Sequence, residues 1–391
     1  MYTLYLKQGK EKRALFHPWV YANEVAKIEG KDAQGSVAKV VSSDGRFIGY
    51  GFINHYSKII VRIITRDETP IDKDFFFNKI KKCKDFRENL GFSDNYRVVF
   101  GESDGLPGLI IDKYSNVLVT QFLSLGMDIR KDIIVDVLKT LYNPICIYNR
   151  SDVSVREKEG LPLEKGVLYG TLPSNVIITE NGIKMYIDVE NGQKTGYFLD
   201  QKENRDNLKK YVKNKTVLDC FCNQGGFSLC ASKYGAKEIT AVDVSDLALD
   251  SVNNNAKLNN FTNIKTLNAD VFEYLRECKK NDTKFDVIIL DPPAFTKTAD
   301  TVQAGYKGYL DINTIALKLL NENGVLITCS CSQHMTVPLF TKMLTEASQH
   351  AHVPAKLVEL RTQAADHASL LTLDEALYLK VAVLIKDWLF L

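Results

Sequence analysis

Thr216-Val217-Leu218-Asp219-Cys220-Phe221-Cys222-Asn223-Gln224-Gly225-Gly226-Phe227 sets the architecture of the C-terminal half. A short apolar run ends on an acid, a polar bend with two glycines follows, and GFSLCASKYGA then takes up a helical period. Apolar strand, glycine turn and helix in that order open a βα unit. Gly225 and Gly226 let the backbone turn tightly and approach a ligand without a side-chain clash.

Working outward, the alternation continues to the end of the chain. Strand EITAVDV precedes helix LALDSVNNNAKLNN, strand IKTLNAD precedes helix VFEYLRECKK, and strand FDVIILDPP leads through a loop to helix YLDINTIALKLL. Strand GVLITCS, helix LFTKMLTEASQH, strand AKLVEL and the apolar strand ALYLKVAVLI complete the run. Alternating β and α segments predict an α/β fold, a doubly wound, Rossmann-like parallel sheet that binds ligands at the C-terminal ends of its strands.

The earlier sequence has a different texture. VAKVV, FIGYGFI and IIVRIIT read as strands separated by SSDGR and NHYSK, a small β module over residues 1–70. An α+β module follows over 71–187: a helix ending at Gly91, strands VVF, GLIIDKY and NVLVTQF, a helix near 128–142, strand ICIYNR, and a hairpin turning at Asn181-Gly182. The third domain is expected over 188–391.

Composition bounds the function classes. With 45% hydrophobic and 25% charged residues in 391, this is an ordinary globular chain. It carries no apolar run of the roughly 18 residues needed to span a bilayer and no secretory leader, which predicts a cytoplasmic protein without a membrane. The eight cysteines, paired only as Cys220-x-Cys222 and Cys329-x-Cys331, lack the spacing of zinc knuckles, so no metal is expected. The net charge of +2 is unevenly spread: residues 1–66 hold eleven Lys or Arg against five Asp or Glu. A basic N-terminal module suits a polyanion partner, and on charge alone a solvated surface fits as well.

The bend after Asp219 lacks the G-x-G-x-x-G spacing that seats a pyrophosphate on a helix N-terminus. A carboxylate beside the turn repels pyrophosphate and suits a cationic ligand, which favours S-adenosylmethionine over NAD. Asp243, at the tip of the second strand, can accept hydrogen bonds from ribose hydroxyls with either ligand. Asn268-Ala269-Asp270 ends the third strand, where a polar side chain can reach an adenine amino group; a lone Asp there is otherwise a helix N-cap. The expected donor-facing set is Asp219, Phe221, Asn223, Gly225, Asp243, Val244, Asn268, Asp270, Asp291 and Pro292.

The fourth strand runs into Asp291-Pro292-Pro293-Ala294-Phe295, where two prolines stiffen the backbone and end its pairing. This resembles the Asp/Asn-Pro-Pro-aromatic segment of nucleic-acid base methyltransferases, with Phe295 one residue late. The fifth strand ends Thr328-Cys329-Ser330-Cys331-Ser332. A thiolate adding to carbon 6 of a pyrimidine activates carbon 5, and Cys331, outermost on the strand, is the candidate nucleophile. Cys329 is expected nearer the core.

These residues in order resemble the three-domain ribosomal RNA large-subunit 5-methylcytosine methyltransferase family. His17-Pro18-Trp19-Val20-Tyr21 and the strands to Thr65 are similar to its β-barrel-like PUA domain, and Gly101-Glu102-Ser103-Asp104-Gly105-Leu106-Pro107-Gly108-Leu109 to its central domain. Gly192-Gln193-Lys194-Thr195-Gly196-Tyr197-Phe198-Leu199-Asp200-Gln201 matches the lead into its catalytic domain, and Gln363-Ala364-Ala365-Asp366-His367 its late motif. The resemblance implies Cys331 as nucleophile, a donor site including Phe198, Asp200 and Arg205, and large-subunit ribosomal RNA as partner; it leaves the proton-removing base unidentified, with Asp291 available to orient the cytosine amino group instead. It leaves a homodimer open. Against it stand methylation of an exocyclic amine, a non-catalytic RNA-binding assembly factor and, remotely, an NAD oxidoreductase.

Overall fold

The computed structural model describes residues 1–296 and 299–387 and divides them into two compact units. Residues 1–178, 187–199 and 365–376 form the first, and 179–186, 200–364 and the segment from 377 onward form the second.

The first unit is built on two sheets. The six-stranded one runs in the order Trp19–Tyr21, Ile59–Thr65, Phe47–Ile53, Val37–Val41, Tyr2–Leu6, Val25–Glu29 around Leu4, Leu6, Val20, Val40, Ile53 and Val61. The five-stranded one runs Glu164–Gly170, Cys146–Ser151, Val117–Phe122, Leu109–Tyr114, Asn95–Phe100, and shares a core with helices Lys73–Asn89 and Lys131–Tyr142. Arg62 joins the two sheets, with Nη1 2.9 Å from Glu102 and Nη2 2.8 Å from Glu159. The late Asp366-His367 pair belongs to this unit: Arg97 N donates to an Asp366 carboxylate oxygen at 3.0 Å, and Arg87 to its carbonyl. The tip of the hairpin formed by Val176–Glu180 and Ile183–Ile187 belongs to the second unit; there Asn181 (φ 51°) and Gly182 (φ 70°) both take the left-handed conformation that a two-residue turn requires.

The second unit is one seven-stranded sheet: β1 (Thr216–Cys220), β2 (Glu238–Asp243), β3 (Ile264–Asn268), β4 (Phe285–Leu290), β5 (Leu320–Ser330), β6 (Ala355–Arg361) and β7 (Lys380–Lys386). Helices α1 (Gly226–Lys233), α2 (Asp246–Leu258), α3 (Val271–Lys280), α4 (Val302–Leu319) and α5 (Val337–Ala351) alternate with the first six strands. The spatial order is β3-β2-β1-β4-β5-β7-β6. The direction reverses at β1, so the crevice for a ligand opens beside β1 and β4. The α/β doubly wound reading holds, with one correction. β7 pairs antiparallel with both β5 and β6, so the sheet is not wholly parallel. No crossover helix separates β6 from β7, and a parallel return needs one.

Candidate active site

The bend after β1 is strained where the site opens. Phe221 (φ 60°), Asn223 (φ 47°) and Gly225 (φ 82°) all sit in the left-handed region, and a bulky Phe there is a clear outlier. Only Gly225 escapes the steric penalty. A Cβ on it would also press to 3.0 Å on Val252 of α2, so this position admits little but glycine. The strain is held by Asp243 Oδ2, which accepts from Asn223 N at 3.0 Å, and by Cys222 N donating to Val242 O.

Three carboxylates converge here. Asp219 is fully buried at the end of β1; Ser228 Oγ of α1 donates to its Oδ2 at 2.6 Å, and its buried Oδ1 has no hydrogen-bond partner. Burial pushes the Asp219 carboxyl up to about 7, opposed by the Ser228 hydrogen bond and reinforced by the like charges of Asp291 and Asp243. Register explains their proximity. Cys220 pairs with Val242 and with Leu290, so Asp243 and Asp291 each stand one residue beyond the same level. A buried carboxylate oxygen without a donor, amid like charges, is chemistry that fits a cation. The donor set therefore fits the sulfonium and ammonium of S-adenosylmethionine and would repel a pyrophosphate.

The remaining expected residues divide. Val244 is 63% exposed just past Asp243. Asn268 donates to Asp246 Oδ1 at 2.5 Å, and Asp270 caps α3 by accepting from Glu273 N at 3.0 Å. The N-cap weighed for Asp270 from sequence is thus present. Asp200 accepts from Tyr378 Oη at 2.5 Å. Arg205 is held by Glu180 in a buried two-point ion pair of 2.7 and 3.0 Å, which ties the hairpin tip to the helix at Lys202–Asp206. Phe198 falls in the first unit, with Lys194 Nζ 4.5 Å above its ring.

On the other side of β1, Asp291 Oδ1 accepts from Gln201 Nε2 at 3.0 Å, and Gln201 Oε1 accepts in turn from Asn204 at 2.8 Å. Pro292 is buried and Phe295 packs among Phe221, Phe272 and Tyr309, which pins the loop to the sheet edge. Leu290 pairs with Thr328, so Cys329 stands level with Asp291. Burial holds the Cys329 thiol far above its usual range, helped by Asp291. Cys331 lies two residues further out, its Sγ 3.9 Å from Pro292 O. Seven of the eight cysteines are buried, and Cys331 is the one that is not.

Two neighbours of these carboxylates escaped the sequence reading. Ser228 sits in an apolar helix and Gln201 in a stretch valued for its resemblance alone. A polar residue inside an apolar run was the available signal for Ser228.

A family model of a PUA-like domain matches residues 4–66, and one of an S-adenosylmethionine-dependent methyltransferase matches residues 167–369. A curated relative from Aliivibrio fischeri, named ribosomal RNA large subunit methyltransferase I, is 43% identical over 386 residues, 97% of this chain and 98% of its own. The protein of the same name from Shewanella amazonensis is 45% identical over 384 residues, 96% and 97% of the two chains. This chain belongs to the ribosomal RNA large subunit methyltransferase I family. Its second unit carries the S-adenosylmethionine-dependent methyltransferase fold of the family, and its N-terminal residues the PUA-like domain. A proposed SAM-dependent methyltransferase from Streptococcus mutans shares the fold, with a TM-score of 0.83 at 24% identity over 98% of this chain and 100% of that one. A crystal structure of a proposed methyltransferase complexed with SAH gives 0.84 at 24% over the same shares. Among the described residues no helix is long and apolar enough to cross a membrane, and no group of three or more His, Cys, Asp or Glu could hold a metal ion.

Proposed function

We propose that this methyltransferase acts in the cytoplasm on large-subunit ribosomal RNA, forming 5-methylcytosine through a covalent adduct between Cys331 and carbon 6 of the base. The observation that carries the reading is the accessibility of Cys331 alone among eight cysteines, against the Asp291-Pro292 loop. Family membership and the basic PUA-like module support an RNA partner.

S-adenosylmethionine, when bound, supplies an electrophilic methyl group on a sulfonium. Asp219, with Asp243 and the bend at Phe221, Asn223 and Gly225, would hold it, Asp219 as counter-charge and Asp243 as hydrogen-bond acceptor. Cys331 as thiolate adds its sulfur to carbon 6, and the ring electrons so displaced make carbon 5 nucleophilic. Once carbon 5 is methylated, its proton passes to water, the C–H electron pair re-forms the ring double bond, and the bond from carbon 6 to sulfur breaks to release the thiolate. Asp291, fixed by Gln201, accepts a hydrogen bond from the cytosine amino group and so orients the ring. The target nucleotide must be unstacked or single-stranded to reach a thiol recessed at a sheet edge.

Mass spectrometry of ribosomal RNA nucleosides from cells with and without the protein tests this. The expected result is one 5-methylcytidine lost with the protein and restored by the purified enzyme on the deficient RNA. Loss of a nucleoside methylated on an exocyclic amine would overturn the carbon-5 reading, and loss of no methylated nucleoside would favour an assembly factor.

A further inference from the structure

Lys380 opens β7 as Cα partner of Ser330, yet it is only 2% exposed. Its Nζ donates to Ser332 O at 2.6 Å and to Tyr378 O at 2.7 Å, and among the described residues no carboxylate pairs with it. A buried ammonium without a counter-ion is costly, and neutral carbonyls satisfy its donors without cancelling its charge. The Ser332 carbonyl holds the ammonium against the segment just past β5, next to Cys331. The proposed reaction uses Cys331 as thiolate, and nothing in the mechanism so far stabilises that charge.

We propose that Lys380 is a positioning residue for Cys331, its buried ammonium favouring the thiolate over the thiol. The inference rests on Cys331 being the nucleophile. The proton leaves Sγ for solvent, both electrons of the S–H bond stay on sulfur, and Lys380 keeps its three protons throughout. Burial pulls the Lys380 ammonium down to about 8 while the nearby Cys331 opposes that shift, so the lysine is mainly charged at neutral pH. Among the described residues, Tyr309 from α4, Cys329 from β5 and Asp291 after β4 stand on this side of the sheet end, and Lys380 comes from the neighbouring strand β7 close enough to interact with the Cys331 charge.

The test reads ionisation rather than turnover. Alkylation of Cys331 by iodoacetamide is followed across pH on the full chain, by mass spectrometry of the Cys331 peptide, for wild type, Lys380→Met and Lys380→Arg. In Lys380→Met the midpoint should rise by about one unit or more, slowing alkylation at pH 7 roughly ten-fold. In Lys380→Arg, which keeps the charge, the midpoint should stay near wild type. An unchanged midpoint in Lys380→Met, or an Arg variant shifted as far as the Met variant, would overturn the proposal. If Lys380→Met fails to fold by circular dichroism, Lys380→Gln takes its place with the same expectation. A shifted midpoint in an enzyme that makes no 5-methylcytidine would sink the carbon-5 reading and reduce Lys380 to a charge coupled to a thiol without a catalytic role; product formed without the shift would sink this inference alone.

Discussion

Cys331→Ala should abolish methyl transfer to RNA, by a factor on the order of 10⁴ or more, while binding of S-adenosylmethionine stays within a few-fold of wild type. Carbon 5 of cytosine has no reactivity toward a sulfonium methyl until a nucleophile occupies carbon 6, so removing the sulfur removes the reaction rather than slowing one step of it. Cys331 lies past the end of β5, against Pro292 O, whereas Asp219 and Asp243, the proposed donor ligands, stand on β1 and β2. The donor site should therefore survive its loss. Calorimetry of donor binding beside transfer of a labelled methyl group separates the two effects. The control is Cys329→Ala, two residues inward and fully buried beside Gln201 and Asp291, which removes core volume and leaves the outer thiol in place. It should lower stability by about 1 to 2 kcal/mol and retain turnover at a permissive temperature. Comparable loss from both variants would mean that the strand end, not the thiol, had been damaged.

The second large effect is at Asp219. Asp219→Asn should weaken S-adenosylmethionine binding by about two orders of magnitude, the usual consequence of removing a buried counter-charge, and should stabilise the free protein. The two signs follow from one fact. The folded-state carboxyl lies at about 7, above the roughly 3.9 of an unfolded aspartate, so the folded state holds the proton more tightly. Stability therefore declines as pH rises from about 4 to about 7 and levels off above that. At pH 8 the Asn variant gains what the wild type has lost, up to about 4 kcal/mol. Donor binding runs the other way, because a bound cation favours the ionised carboxylate. Wild-type affinity should rise with pH up to about 7, and binding at pH 6 should release a proton. Calorimetry in two buffers of different ionisation enthalpy checks this. A binding enthalpy independent of buffer would contradict the assignment, and urea melts at pH 5 and pH 8 check the stability half.

Much of this was legible from the sequence wherever the needed residues are neighbours in the chain. The acid–bend–glycine stretch at 219–226, the stiff Asp291-Pro292-Pro293 segment and the Cys331 strand end each announce themselves, because backbone geometry and chemistry are encoded side by side. What lies between segments was not legible. Gln201 reaches Asp291 across 90 positions and Ser332 receives Lys380 across 48, and no local pattern joins either pair. Asp270, read in line with the two earlier acids as a ligand contact, also serves as the N-cap of α3, a role equally legible from its neighbours in the chain. In the β module, VAKVV, FIGYGFI and IIVRIIT were legible as strands because they are long and apolar. Tyr2–Leu6, Trp19–Tyr21 and Val25–Glu29 were not, since their pairing with distant partners, rather than their own composition, makes them strands. The antiparallel β7 had a sign in the sequence, the missing helical period between AKLVEL and ALYLKVAVLI.

The most direct measurement replaces the target cytidine by 5-fluorocytidine in ribosomal RNA and asks what the enzyme leaves behind. Fluorine cannot depart as a cation, so a reaction that proceeds through carbon 6 stalls after methylation with the protein still attached. The account predicts a denaturation-resistant protein–RNA adduct that forms only with S-adenosylmethionine, carries one added methyl group and maps to the Cys331 peptide. An enzyme that makes 5-methylcytidine on ordinary RNA yet leaves no adduct on the fluorinated RNA, or leaves one on another residue, would contradict it.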